Sequence, residues 1–206
     1  MIKVGVVGFG TIGKRVAEAV SLQKDMELLG ITGHSYSYKM EIAKIKGYKI
    51  FTTGDPKEFT NICTTSSQDC INLAGDINDL MDKVDVIVDC TPKKIGKENK
   101  EKYYVPNKLK AIFQGGEKPE TVDASFVAQC NYKEALDKDF VRVVSCNTTG
   151  LCRTLDPISK IYGIESVHAT MVRRAANPWD IYHGPINAVV PVLELPSHHG
   201  PDVQTV

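Results

Sequence analysis

Cys146 stands in the run Val144-Ser145-Cys146-Asn147-Thr148-Thr149-Gly150, where a hydrophobic stretch gives way to a helical one. Val141, Val143 and Val144 read as a buried strand. Asn147, Thr148 and Thr149 read as N-cap and first-turn residues of a helix with apolar positions at Leu151, Leu155 and Ile158. A thiol there faces amide N–H groups that have no intrahelical partner, which favours the thiolate and so a nucleophile. The alternative is a small buried apolar group at a strand end, since free cysteine is among the most buried residue types. A second candidate for chemistry is the adjacent pair His198-His199, in a loop bounded by Pro196 and by Gly200-Pro201-Asp202. Imidazole is suited near neutral pH to take the hydroxyl proton of a thiol–aldehyde adduct as it is oxidised, and either histidine can serve. A solvated pair is the competing reading. His34, His168 and His183 have no such pairing and read as structural or surface residues. Arg173 and Arg174 end an alternating run from Ile164; as paired guanidinium forks they suit phosphate, and as a basic strand end they suit a solvated rim.

These groups need a scaffold, and the N-terminal half supplies one. Ile2, Val4, Val6 and Val7 form a β-branched run that stops at Gly8-Phe9-Gly10-Thr11-Ile12-Gly13, and helical periodicity follows from Arg15 to Val20. This is G-x-G-x-x-G between a strand and a helix: Gly8 permits the tight turn, Gly10 lets backbone approach a pyrophosphate, and Gly13 allows close helix–strand packing. The phosphates would rest on the helix N-terminus. The second strand, Met26 to Thr32, ends without the acidic residue that usually holds the ribose hydroxyls of NAD. Gly33, His34, Ser35 and Lys39 follow it, so NADP is expected to be accepted as well as NAD. Val84 to Cys90 reads as a buried parallel strand whose end, Thr91-Pro92, lines the cofactor crevice. Lys110 to Phe113 reads as another, and Gly115-Gly116 after it suits backbone contact with the nicotinamide half. Ile164 to Arg174 and Gly184 to Pro191 read as strands of a second sheet.

The bulk composition sets limits. The chain has 206 residues, 42% of them apolar, enough for one large globular domain or one and a half smaller ones. Lys plus Arg and Asp plus Glu number 25 each, so no net field draws the chain to nucleic acid or to an anionic membrane. The N-terminal apolar stretch is too short to span a bilayer and lacks a cleavage signature, so neither a signal peptide nor a membrane helix is expected. The six cysteines, at 63, 70, 90, 130, 146 and 152, have no metal-ligand spacing, which points to a reducing cytoplasm and no metal.

Taken together, Gly8–Gly13, Ser145–Arg153, Arg173-Arg174-Ala175-Ala176 and Pro196–Val203 resemble the archaeal-type, or type II, phosphorylating glyceraldehyde-3-phosphate dehydrogenases, collinearly along the whole chain. The resemblance implies an α/β chain with a Rossmann-type doubly wound parallel sheet over residues 1–144. Residues 145–206 would be the first part of an α+β catalytic domain with a mainly antiparallel sheet. It implies NAD(P)-dependent oxidation of glyceraldehyde 3-phosphate with inorganic phosphate to 1,3-bisphosphoglycerate, through a thioester on Cys146. Thr11 and Ile12 would touch the pyrophosphate, and Gly115 or Gly116 the nicotinamide side. Ser145, Cys146 and Asn147 would hold substrate, Arg174 would stand near cofactor or phosphate, and His198 and His199 would meet substrate and supply the base. A cytoplasmic homotetramer is implied as well. Members of that family continue well past the position of Val206, so the chain is expected to be a fragment, and inactive alone. Two other readings compete: an aspartate-semialdehyde dehydrogenase, which shares the thioester logic, and a non-catalytic nucleotide-binding redox sensor.

Overall fold

Strand-forming runs and short helical segments alternate along most of the chain, and the apolar residues of the strands face helices on both sides. The computed structural model describes residues 1–60, 71–172 and 197–206, together with Pro191, Leu193 and Leu195. Its elements are β1 (Ile2–Val7), α1 (Thr11–Ser21), β2 (Met26–Gly33), α2 (Tyr38–Ile45), β3 (Ile50–Thr52), α3 (Lys57–Thr60), β4 (Leu73–Asp76) and α4 (Ile77–Met81). There follow β5 (Val86–Asp89), α5 (Ile95–Asn99) running into a π-helical turn over Lys100–Tyr104, β6 (Lys110–Phe113), β7 (Ala124–Phe126), α6 (Ala128–Ala135), β8 (Phe140–Val143), α7 (Cys146–Tyr162) and α8 (His199–Val203).

The described strands form one sheet in the order β4-β3-β2-β1-β5-β6-β8-β7, and every pairing is parallel. β1 is central: Val4 lies opposite Leu28 of β2 on one side and Val86 of β5 on the other. The order in which successive strands are added reverses beside it, the switch point at which open α/β sheets bind ligands. On one face Val4, Val6, Ile31 and Val88 pack against Ala17 and Val20 of α1 and Met40 and Ala43 of α2. On the other, Val7, Ile87, Ala111 and Phe113 pack against Leu80 and Met81 of α4 and against Tyr104. This is the α/β, Rossmann-type doubly wound sheet. A third, smaller cluster of Val127, Val144 and Cys152, with Val203 and Val206 against it, fastens α7 and the last residues to the sheet end.

The expected strand from Ile164 differs. Residues 164–172 carry no strand and are exposed, so the mainly antiparallel second sheet is not present among the described residues. Alternation in sequence makes a strand only when a neighbour takes up its backbone N–H and C=O groups, and no described strand pairs with this segment.

Candidate functional site

Because the strands are parallel, the turns that follow β1, β5, β6 and β8 all open on one edge of the sheet. Gly8 adopts φ +89°, and its N–H donates to Thr32 Oγ1 at 3.0 Å, which ties the first turn to the end of β2. A Cβ on Gly13 would lie 2.0 Å from the Gly8 carbonyl oxygen, so the helix–strand approach tolerates no side chain there. Gly10 behaves differently: it is the N-cap of α1, makes no side-chain cap bond, and a Cβ on it would meet nothing within 4 Å. The first turn of α1 holds no acidic residue, and Thr11 and Ile12 are exposed. Unpaired first-turn amides, free space beside Gly10 and the absence of a competing carboxylate fit a dinucleotide pyrophosphate. At the end of β2, Gly33 is followed by exposed His34 and half-buried Ser35, with no carboxylate to exclude a 2′-phosphate. NAD and NADP both fit.

Thr91 and Gly115 meet across this edge, for a Cβ on Gly115 would lie 2.0 Å from the Thr91 carbonyl oxygen. Gly116 has φ +81° and open space before it. What holds Thr91 in place was not singled out from the sequence. Asp89, at the end of β5 and only 1% exposed, accepts on Oδ1 from Thr91 N–H at 2.9 Å and from the Thr91 hydroxyl. Its Oδ2 accepts from Asn99 Nδ2 at 3.0 Å and from the Tyr104 hydroxyl at 2.5 Å. Burial, with the Asp89 carboxylate next in weight, pushes the Tyr104 hydroxyl well above its ordinary value. The same two causes push the neighbouring Cys90 thiol up to about 12. Glu117, 3% exposed, accepts from Lys94 N–H at 2.7 Å, where Lys94 takes φ 81°. The available signal was a carboxylate ending an otherwise apolar strand, a group that must find donors when buried.

At the end of β8 the local structure differs from the expected one by two residues. Ser145, not Asn147, is the N-cap of α7, its Oγ accepting from Thr148 N–H at 3.2 Å. Cys146 is therefore the first residue of the helix, exposed, with Sγ 4.0 Å from Asn147 Oδ1. The buried line of α7 runs through Thr148 and Cys152 rather than through Leu151, Leu155 and Ile158, because β8 delivers the helix with Thr148 turned under the cap. Thr148, 0% exposed, hydrogen-bonds His199 Nδ1 at 2.9 Å, and Ser145 Oγ lies 3.3 Å from the same nitrogen.

The histidine pair is thus not a loop. His199 opens α8 and is buried to 9% exposure, whereas exposed His198 is the cap residue and lies beside it, ring centroids 3.9 Å apart. α8 is fastened from behind by Arg142 of β8, whose guanidinium meets Asp202 at 3.0 Å. An arginine inside an apolar strand was the sequence signal for this contact. Of the expected site residues, Gly8, Gly10, Thr11, Ile12, Gly13, Thr91, Gly115 and Gly116 come together at the β1–β5–β6 edge, and Ser145, Cys146, Asn147, His198 and His199 at the β8–α7 turn. Arg173, Arg174, His183 and the segment 184–190 lie outside the described residues. No group of metal-ligating side chains occurs among the described residues, and none of their helices is long and apolar enough to cross a membrane.

A doubly wound parallel sheet with a glycine turn at its switch point defines a Rossmann-type dinucleotide-binding chain. Consistent with this, residues 2–113 belong to the family described as dihydrodipicolinate reductase, N-terminus. Residues 145–206 match glyceraldehyde 3-phosphate dehydrogenase, C-terminal domain. Over its full length the chain is 53% identical to glyceraldehyde-3-phosphate dehydrogenase of Pyrococcus furiosus, covering 59% of that protein. It is 49% identical to that of Methanobacterium formicicum, covering 60%. Along its whole length the chain is similar to these archaeal glyceraldehyde-3-phosphate dehydrogenases, and it spans about three-fifths of the length of these curated relatives. Among solved structures, aspartate semialdehyde dehydrogenase with NADP from Candida albicans aligns with 80% of this chain and 48% of its own at a TM-score of 0.54. At 15% identity that likeness is one of fold.

Proposed function

We propose that this chain carries the dinucleotide site and the reacting thiol of a phosphorylating glyceraldehyde-3-phosphate dehydrogenase, an NAD(P)-dependent oxidoreductase acting in glycolysis or gluconeogenesis. The observation that carries the reading is the common edge: the Gly8–Gly13 turn, the Thr91 and Gly115–Gly116 turns, and the Cys146 turn all open on the carboxyl side of one parallel sheet. Gly8, Gly10, Thr11, Ile12 and Gly13 would hold the pyrophosphate, and Thr91, Gly115 and Gly116 the nicotinamide half. NAD or NADP, when bound, supplies the hydride acceptor.

The chain's own residues do the rest. Cys146 Sγ forms a bond to the aldehyde carbon, and the oxyanion that develops is met by amide N–H groups of the first turn of α7. His199, its ring oriented by Thr148, passes the thiol proton to that oxygen and takes it back as the adduct is oxidised to a thioester. Exposed His198, with Ser145 and Asn147, contacts the substrate. A phosphate oxygen then attacks the thioester carbonyl, the C–S bond breaks, and Cys146 leaves as thiolate with 1,3-bisphosphoglycerate as product. Arg174 is assigned to cofactor or phosphate contact. Residues 1–144 form the nucleotide-binding domain in this reading, and 145–206 begin the catalytic one. Assembly as a homotetramer and a cytoplasmic location complete it, supported by the likeness to the archaeal enzymes.

The test is reduction of NAD or NADP by the protein carrying this sequence, with glyceraldehyde 3-phosphate, with and without inorganic phosphate. Phosphate-dependent reduction abolished in Cys146→Ser is expected. Equal rates without phosphate, or preference for aspartate semialdehyde, would overturn the assignment.

A further inference from the structure

Behind the Cys146 turn lies one buried cation with partners on three different segments. Arg142 is 4% exposed, in the middle of β8 and four positions before Cys146. Its Nε donates to Ser125 Oγ of β7 at 2.8 Å, one terminal nitrogen to the Glu117 carbonyl at 2.9 Å, and the other to Asp202 Oδ1 and Thr205 Oγ1, both at 3.0 Å. Thr205 Oγ1 in turn donates to Ser125 Oγ at 2.9 Å. A guanidinium presents its donors in a rigid planar fork, so the acceptors it joins are fixed in direction as well as distance. Two of these acceptors lie next to a working part of the edge. Glu117 directly follows Gly115-Gly116 and also receives Lys94 N–H. Asp202 belongs to α8, whose first residue is His199.

We propose that Arg142 is a positioning residue that sets two parts of the site in one register: the histidine turn of α8, through Asp202 and Thr205, and the glycine loop after β6, through the Glu117 carbonyl. The Cys146 helix grows from the same strand, so the guanidinium is the shared reference for thiol, imidazole and loop. α8 has five residues and a small cluster under it, too little to hold a ring at a fixed place unaided. The buried Arg142–Asp202 pair supplies the missing constraint, and His199 Nδ1 is thereby held against Thr148 and Ser145. Asp202 is assigned the same role as the other half of the clasp. The proposal rests on the reading of Cys146 and His199 as partners, and its test separates the two.

Asp202→Ala is the variant of choice, because Arg142 keeps Ser125, Glu117 and Thr205 and the sheet stays bonded. The readouts are the rate of Cys146 alkylation by iodoacetamide, followed on the Cys146 peptide by mass, the His199 ring resonances, and the urea midpoint. In Asp202→Ala, alkylation at neutral pH should fall about tenfold, the response of a thiol whose imidazole partner is no longer held in place. It should fall no further when His199→Ala is added, since the two changes act through one ring. Asp202→Asn, which retains an acceptor oxygen for the guanidinium, should restore most of the rate and the His199 resonance. A lowered urea midpoint with alkylation and the His199 resonance unchanged would show the clasp to be structural only and overturn the proposal. If His199→Ala alone leaves alkylation untouched, the pairing of Cys146 with His199 fails. The His199 resonance in Asp202→Ala, with its recovery in Asp202→Asn, then still decides the positioning role.

Discussion

At the N-terminus of α1 the cap is Gly10, without a side chain and with open space before it, whereas at the N-terminus of α7 the cap is Ser145, whose hydroxyl takes up Thr148 N–H. Both helices leave the same edge of the same sheet. The first turn keeps its amide donors for a ligand from outside. The second satisfies them in part with its own side chains, turns Thr148 inward to His199, and leaves Cys146 at the surface. One terminus leaves its amides open to an anion and the other exposes an atom, and the difference comes from a single side chain at the cap.

The comparison can be broken at either end. The largest effect is expected at the presenting turn: Cys146→Ser should lower phosphate-dependent cofactor reduction at least about a thousandfold while leaving NAD(P) binding intact, because the proposed reaction loses only its nucleophile. Isothermal titration beside steady-state rates checks both halves. Next come two glycines of the binding turn with opposite behaviour. Gly13→Ala drives a Cβ to 2.0 Å from the Gly8 carbonyl and should cost about 3 kcal/mol of stability in urea unfolding. Gly10→Ala meets nothing within 4 Å, and should cost less than about 1 kcal/mol yet weaken dinucleotide binding, since the methyl occupies the ligand's space. Equal destabilisation by the two substitutions would show that the turn is merely tight and not shaped for a ligand.

A third prediction concerns Cys90, which ends the strand beside that turn. Its thiol is raised from 9.0 to about 12 in the folded chain, so the unfolded chain loses that proton first as pH rises. Its contribution is fully present below pH 9.0 and is lost between 9.0 and about 12, with a slope of at most about 1.4 kcal/mol per pH unit. Cys90→Ala should flatten that part of the stability profile, and chemical unfolding at a series of alkaline pH values reads it directly. Tyr104→Phe removes one of the donors to buried Asp89 and should cost about 1.5 kcal/mol. Ser145→Ala, which makes the cap of α7 resemble that of α1 by removing its hydroxyl, should cost about 1 kcal/mol.

The alternation of Val4, Val6 and Val7 and the glycines after them made β1, α1 and the nucleotide edge legible, because local periodicity and backbone freedom are written in neighbouring residues. The Cys146 turn was legible to within two residues. Ser145 and Asn147 are both good caps, and what chose between them is the pull of Thr148 toward His199, a residue 51 positions away. The same applies to the buried line of α7 and to α8, a helix whose five residues have little helical tendency of their own. Arg142 and Asp202 stand 60 positions apart, and no local pattern links them.

The sequence by itself determined the class of scaffold, the glycine turn, the thiol at a helix start and the histidine pair, since each follows from the types and spacing of near neighbours. Only the tertiary structure decided that Ser145 is the cap, that His199 is inside and His198 outside, that Asp89 holds the Thr91 turn, and that Arg142 joins the glycine loop to the histidine helix. Those are facts about which buried polar group finds which partner, and in a dry interior every such group must find one wherever the chain brings it.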